Sequence, residues 1–296
     1  AAELRRLTVA TSGLKGGNTL SAVTSFFHMS VAHLGRRDAS IMKLPENKVE
    51  LVKRGNKIVY DLGDKIVKVF NETKPLSDVF NEALNLARIN ECGIPSPKVL
   101  QVSEIENGGG WAMETTKIPG TVMAEKMQAE PGHFYEYLEQ FVDLLIEIHG
   151  YRCQQLNRQK DKYARMIKSL DEIDGTTRYN LLERLDGMKK DTCVCHGDFN
   201  PTNIIVGEDD KLYVCDWAHA TQGEPAADAA MTYLLLSIQD KQQADTFLEM
   251  YCERSGTPVQ IVRQWMPVVA ASELARNREG QDREALLSWV DVMDYQ

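Results

Sequence analysis

The chain has 296 residues, 43% of them hydrophobic and 26% charged, with a formal net charge of −9. These values describe a globular chain that can bury a sizeable core in one large domain or two lobes, and the acidic balance argues against nucleic acid as a partner. No apolar run approaches the roughly 18 residues that cross a membrane, and no basic segment leads into an uninterrupted apolar core. The expectation is therefore no membrane contact, no secretory leader and a cytoplasmic location.

Residues 1–41 stand apart, carrying +3 against −12 for the remainder. The run from Leu7 to Thr19 looks like a strand entering a phosphate loop, but the Gly-Lys-Ser/Thr that grips phosphate is missing, and one βα unit makes no nucleotide domain. It is expected to be an N-terminal extension, disordered or non-native.

Residues 42–118 carry the pattern of a small β-rich lobe. Val49–Val52, Ile58–Tyr60 and Lys65–Phe70 read as short strands parted by turns at Gly55-Asn56 and Gly63-Asp64. A helix follows, with Ser77 as its predicted N-cap and Gly93 with Pro95 as its stop. Val79, Leu86 and Ile89 form its inward stripe, and Glu82 falls on the same face. A buried carboxylate needs a cation. Strand alternation turns Lys68 to the face opposite Val67 and Val69, which makes it the expected partner. The segment Trp111–Gly120 begins as a strand and ends in a Pro-Gly breaker, the pattern of a hinge between lobes.

Residues 119–296 are mainly helical. Phe134, Leu138, Phe141, Val142, Leu145 and Ile148 keep helical spacing up to a stop at Gly150, and His149 is expected to be a packed structural histidine. Beyond Asp228, three helical stretches carry Leu234-Leu235-Leu236, then Phe247-Leu248-Tyr251, then Val262-Trp265-Val268-Val269. These stripes read as core, with Tyr233, Tyr251 and Trp265 as candidates to line a substrate pocket.

The chemistry concentrates at His196-Gly197-Asp198-Phe199-Asn200-Pro201-Thr202-Asn203 and at Leu212-Tyr213-Val214-Cys215-Asp216-Trp217. A surface turn rich in Asp and Asn would account for any one of these residues, but not for the ordered set. Phosphoryl transfer needs one carboxylate to receive a hydroxyl proton, and an amide with a second carboxylate to hold Mg²⁺ against the phosphates. The apolar runs after Asn203 and before Asp216 predict a hairpin about the turn Gly207–Asp210, bringing Asn203 and Asp216 to one end. Cys193, Cys195 and Cys215 flank this site without disulfide or zinc spacing, as reduced apolar residues would.

These motifs resemble the aminoglycoside phosphotransferase and choline kinase family of protein-kinase-like folds, over about residues 42–296. The resemblance implies an α+β architecture of two lobes, a small antiparallel ATP-binding sheet with one helix (42–118) and a larger, mainly helical catalytic and substrate-binding lobe (119–296). It implies Asp198 as catalytic base, His196 as a brace of the loop, and Asn203 and Asp216 as Mg²⁺ ligands. Lys68 and Glu82 match the ATP-positioning pair, Glu114 and Thr116 the hinge positions that offer backbone groups to adenine, and Asp228 of Gly-x-Pro-x-x-Asp a structural support of the catalytic loop. Two departures stand out. The phosphate-facing loop Arg54-Gly55-Asn56-Lys57 is short and has only Gly55, and twelve positions from Asp216 to Asp228 leave no room for a peptide-docking activation segment. The C-terminal part is most similar to bacterial sugar- or thiamine-kinase-like members.

The expected activity is transfer of the γ-phosphate of ATP, with Mg²⁺, to a hydroxyl of a small molecule: an aminoglycoside, a sugar, choline or a thiamine-like compound. The competing reading is a nucleotide-binding pseudokinase acting as an interaction module. For the acceptor, Glu224 and Glu273 are candidates to receive amino groups, and Tyr233, Tyr251 and Trp265 to cage a quaternary ammonium.

Overall fold

A computed structural model describes residues 41–278 and 280–290. The expected extension, but for Ile41, lies outside the described residues. Between Val49 and Thr116, alternating side chains broken by glycine turns make an antiparallel sheet of five strands: β1 (Val49–Arg54), β2 (Lys57–Asp61), β3 (Lys65–Phe70), β4 (Val99–Glu104) and β5 (Trp111–Thr116). The spatial order is β1-β2-β3-β5-β4. Between β3 and β4 runs α1 (Leu76–Glu91), whose Val79 and Ala83 pack with Phe70 and Met113 of the sheet. Ser77 does not cap this helix. Pro75 holds the N-cap position with φ −56°, and no side chain bonds the free N–H groups there. Proline's locked φ suits this entry into a helix, so the helix begins one residue before Ser77. Its far end follows the sequence, with Cys92 as C-cap and Gly93 at φ +82°.

The chain leaves this sheet after Thr116 and starts another with β6 (Gly120–Val122). Gly120 has φ +155°, and a Cβ there would lie 2.3 Å from the Val206 carbonyl oxygen. Only glycine allows that approach. Next come α2 (Met123–Ala129), α3 (Phe134–Gly150), α4 (Gln159–Lys168), α5 (Gly175–Gly187) and β7 (Cys193–Cys195). The hairpin β8 (Ile204–Gly207) and β9 (Leu212–Val214) follows, then β10 (Thr221–Gly223). β6 pairs with β8, and β10 pairs with β7. The chain ends in α6 (Pro225–Gln239), α7 (Lys241–Ser255), α8 (Val259–Gln264), α9 (Met266–Ala275) and α10 (Arg283–Val290). No helix among the described residues is long and apolar enough to cross a membrane.

The main core joins Phe141, Leu145, Phe199, Trp217, Leu234 and Phe247. The stretch Val262–Val269, read as one helix, is two. Trp265 ends α8 and starts α9, because Pro267 sits in the first turn of α9 and cannot donate to an earlier carbonyl. Tyr233, Tyr251 and Trp265 are at most 3% exposed and belong to this core, so they do not form an aromatic cage.

α6 is buried on nearly every side, as a helix apolar all round must be. Within its first turn lies Asp228, with no exposed surface. Its Oδ2 accepts the His196 N–H and its Oδ1 the Gly197 N–H, both at 2.7 Å, and His149 Nε2 stands 3.2 Å from Oδ2. The Tyr251 hydroxyl lies 3.3 Å from the other ring nitrogen of His149. Burial opposes the Asp228 charge, but the rings of His149 and His196 and the Gly197 N–H outweigh it and keep the carboxyl below its usual value. Replacing Asp228 with Ala removes the partner of two buried N–H groups, and breaking a buried charged network typically costs about 3–5 kcal/mol. Denaturant titration of Asp228→Ala is expected to show a loss of that order; a loss below about 1 kcal/mol, the effect of an ordinary substitution, would contradict this role.

Candidate active site

The segment after β7 turns sharply at Gly197, whose φ is +76°; a Cβ there would sit 2.9 Å from the His219 carbonyl oxygen. His196 is fully buried, its ring centroid 4.6 Å from that of Trp217. Its Nδ1 accepts the Asp198 N–H at 3.1 Å, which leaves Nε2 as the protonated nitrogen, 3.0 Å from the Cys215 carbonyl. One imidazole thus links the segments that carry Asp198 and Asp216. Asn200 and Asn203 each donate Nδ2 to the Asp198 carbonyl at 2.9 Å. In the hairpin Ile204 faces Val214, and the Cys215 N–H donates to the Asn203 carbonyl at 2.8 Å. Asn203 and Asp216 therefore stand at the same end.

Asp216 adopts the left-handed conformation, φ 60° and ψ 57°, which Asp tolerates better than bulkier residues. Lys68 Nζ is 2.7 Å from Glu82 Oε1 and 3.4 Å from Asp216 Oδ1. Glu82 is 2% exposed, so the strand cation and the helix anion meet on the protein side of the site. A second cation was not anticipated: Lys57, at the start of β2, donates to Asp216 Oδ2 at 2.8 Å. Burial works against the Asp216 charge, yet Lys68 and Lys57 hold the carboxyl well below its usual range. Burial likewise opposes the Lys68 charge, and Asp216 and Glu82 push its pKa above the usual value all the same. The Asn85 amide of α1 donates to the Trp217 and Ala218 carbonyls at 3.3 Å, tying that helix to the segment after Asp216.

The turn at Gly55 connects β1 to the strand that carries Lys57. Its carbonyl accepts Asn71 Nδ2 at 2.7 Å, which joins it to the end of β3, and Lys57 follows two residues later. At the hinge positions, the Glu114 carboxylate pairs with Lys65 at 2.9 Å. The Thr116 N–H donates to the Lys98 carbonyl at 2.9 Å, and the Thr116 hydroxyl accepts the Lys98 N–H at 2.9 Å. The Thr116 N–H, one of the groups assigned to adenine by resemblance, is thus engaged within the protein.

On its other side, Asp198 meets two arginines that carry no motif in the sequence. Arg278 Nη2 lies 3.0 Å and Arg276 Nη1 3.7 Å from Asp198 Oδ1. Arg276 Nη2 donates to the Gly197 carbonyl at 2.6 Å. Glu273 holds both arginines, at 3.0 Å to Arg276 and 2.9 Å to Arg278, and is 2% exposed. Lys162 of α4 donates to the His219 carbonyl at 2.9 Å. Burial, then the charges of Arg276, Lys162 and Arg278, hold the His219 imidazole neutral, its pKa well below the usual value. Glu224 faces Lys189 at 3.3 Å, in a cavity of about 420 Å³ that Arg184 and Trp265 also line. Neither carboxylate suggested for amine recognition is free.

The donors at Asn203 and Asp216 suit a hard divalent cation. Asn203 spends its Nδ2 on the Asp198 carbonyl, which leaves Oδ1 as the free end. Asp216 supplies an ionised carboxylate whose Oδ2 bonds Lys57 while Oδ1, 3.4 Å from Lys68, carries no hydrogen bond among the described residues. Two such oxygens, with the remaining positions left to phosphate and water, match Mg²⁺ coordination. The buried trio His149, Cys195 and Asp228 has metal-ligand spacing but not its chemistry. Both Asp228 oxygens already accept N–H groups, and burial pushes the Cys195 thiol well above its usual value.

Residues 56–264 match the family model of the phosphotransferase enzyme family. The chain belongs to that family. Among curated relatives of this phosphotransferase, the aminoglycoside 3'-phosphotransferase of Streptomyces fradiae is 26% identical over 200 residues, which cover 60% of this chain and 73% of the relative. An aminoglycoside phosphotransferase solved as a ternary complex with ADP and hygromycin B superposes with a TM-score of 0.61 at 11% identity, covering 83% of this chain and 91% of the other. A choline kinase of Streptococcus pneumoniae superposes with a TM-score of 0.52 at 16% identity, covering 91% and 99%. The fold is thus the protein-kinase-like α+β one of small-molecule kinases.

The cysteines beside the site lack the thiolate character that reagents need. Burial pushes Cys215 up to about 12 and Cys193 up to about 11. A raised pKa leaves the thiol protonated at about pH 8, where alkylation requires the thiolate. Iodoacetamide is expected to leave Cys193, Cys195 and Cys215 of the native phosphotransferase unlabelled by mass spectrometry and to label them after denaturation. Native labelling of any of them would contradict this.

Proposed function

We propose that this phosphotransferase moves the γ-phosphoryl group of ATP, with Mg²⁺, onto a hydroxyl of a small molecule. The observation that carries the reading is the pair of carboxylates held on opposite sides of His196 with different partners. Asp216 shares its end of the hairpin with Asn203 and is flanked by Lys57 and Lys68. Among the described residues Asp198 forms its ion pairs with Arg276 and Arg278 instead.

In this reading Lys68, fixed by Glu82, positions the donor phosphates, and Asn203 Oδ1 with Asp216 holds the metal. Bound Mg²⁺ screens the charge of the phosphate oxygens. Asp198 takes the proton of the acceptor hydroxyl as its oxygen bonds to the γ-phosphorus and the bond to the bridging β–γ oxygen breaks, so ADP leaves with that electron pair. Positioning and electrostatics then supply most of the rate. A small acceptor fits the short path from Asp216 to Asp228, where one 3₁₀ turn and β10 lead straight into α6 and no peptide platform intervenes.

The two carboxylates are expected to fail differently. Asp216→Ala should lose Mg²⁺-dependent nucleotide binding together with turnover. Asp198→Ala should bind ATP·Mg nearly as the parent does and lose about 10²–10⁴-fold in transfer rate, the usual worth of general-base assistance. Calorimetric titration of ATP·Mg with parallel turnover assays measures both. Equal loss of nucleotide affinity in the two variants, or near-normal transfer without Asp198, would overturn the reading.

A further inference from the structure

We propose that the acceptor carries an anionic group, a carboxylate or a phosphate, beside the hydroxyl it offers to Asp198, and that Arg278 receives that group. The inference rests on the reading of Asp198 as proton acceptor and specifies the substrate class of that same site. It departs from what aminoglycosides or choline would require, since those acceptors are cations.

The charges around Asp198 carry the argument. Arg278 reaches both carboxylate oxygens, Nη2 to Oδ1 at 3.0 Å and Nη1 to Oδ2 at 3.5 Å. Arg276 stands 3.7 Å from Oδ1, and Lys162 lies beside the same loop on the His219 carbonyl. Burial holds the Lys162 pKa well below its usual value, so the cations that count are the two arginines. Facing them are Asp198 and Glu273, with Asp216 also acting on Arg278 and Asp228 behind the loop, already bonded to its N–H groups. Glu273 is consumed by Arg276 and Arg278, and Glu224 pairs with Lys189 in a separate cavity. An ammonium group arriving here would meet guanidinium groups first.

The two arginines are not equivalent. The Arg276 side chain is 4% exposed and bonds the Gly197 carbonyl, so it belongs to the loop's framework. The Arg278 side chain is 34% exposed, and a ligand can reach it. While Arg278 spans both oxygens of Asp198, at 3.0 and 3.5 Å, the acceptor hydroxyl must share that carboxylate with the guanidinium. A carboxylate or phosphate on the acceptor offers the guanidinium an equivalent two-point partner. Arg278 can then turn from Asp198 to the acceptor without losing an anionic partner, while Asp198 keeps Arg276 at 3.7 Å as the hydroxyl arrives. A neutral acceptor gives no such exchange.

The test uses the full chain with ATP·Mg and matched acceptors: gluconate, glycerate and glucose 6-phosphate against glucose and glycerol, with kanamycin and choline as cations. ATP consumption is expected with a member of the anionic set, at a kcat/KM about tenfold or more above its neutral counterpart, a gap of about 1.4 kcal/mol. Arg278→Gln should close that gap mainly through KM, Arg278→Lys should restore part of it, and both should bind ATP·Mg as the parent does. A merely structural Arg278 would shift nucleotide binding along with KM. Consumption with neutral or cationic acceptors alone, or with none of the anionic set, overturns this proposal and leaves the kinase reading standing. Failure to bind ATP·Mg at all would instead remove the kinase reading.

Discussion

A carboxylate with no exposed surface must find its partners inside the protein, and Asp228 finds them in the N–H groups of His196 and Gly197 and the ring of His149. The geometry of the site depends on that requirement. The two N–H groups fix the backbone from which Asp198 projects. The His196 ring, held in the same place, accepts the Asp198 N–H and reaches the Cys215 carbonyl, so the position of Asp216 follows as well. Breaking one buried bond therefore displaces both carboxylates together, and in a low-dielectric interior such networks have few alternative arrangements.

The same centre divides its electrostatics by element. The sheet supplies Lys57 and Lys68 to Asp216, and α1 anchors Lys68 through Glu82 while its Asn85 grips the segment after Asp216. The last turn of α9 and the residues just beyond supply Glu273, Arg276 and Arg278 to Asp198. Each carboxylate thus has local cations as partners, and those cations come from opposite parts of the chain. A change in the sheet turn at Gly55 would be felt at Asp216, and a change beyond α9 at Asp198.

Much of this was legible in the sequence because its signals are local. The Lys68–Glu82 pair follows from strand alternation and one helical stripe, and the hairpin from two short apolar runs about a turn. What escaped notice comes from distant segments. Lys57 is 159 residues from Asp216, and Arg278 is 80 from Asp198; nothing in the pattern of either neighbourhood says which remote carboxylate it covers. Asn85 reads as a polar interruption of a helix until the carbonyls of Trp217 and Ala218 are placed above it. For the aromatic residues the structure bears out the core reading and not the pocket alternative: Tyr233, Tyr251 and Trp265 are all buried, where ring chemistry serves packing. Ser77 was overruled by Pro75, which enters the helix without a side-chain cap.

In the proposed reaction, phosphate leaves ATP for a small hydroxylated molecule at Asp198. Mass spectrometry of a pool of small hydroxylated metabolites, incubated with ATP·Mg and the enzyme, addresses it most directly. One or a few members are expected to gain a single phosphoryl group with the parent enzyme, and none with Asp198→Ala. The same gain with Asp198→Ala, or ATP consumed with phosphate passing to water alone, would contradict it.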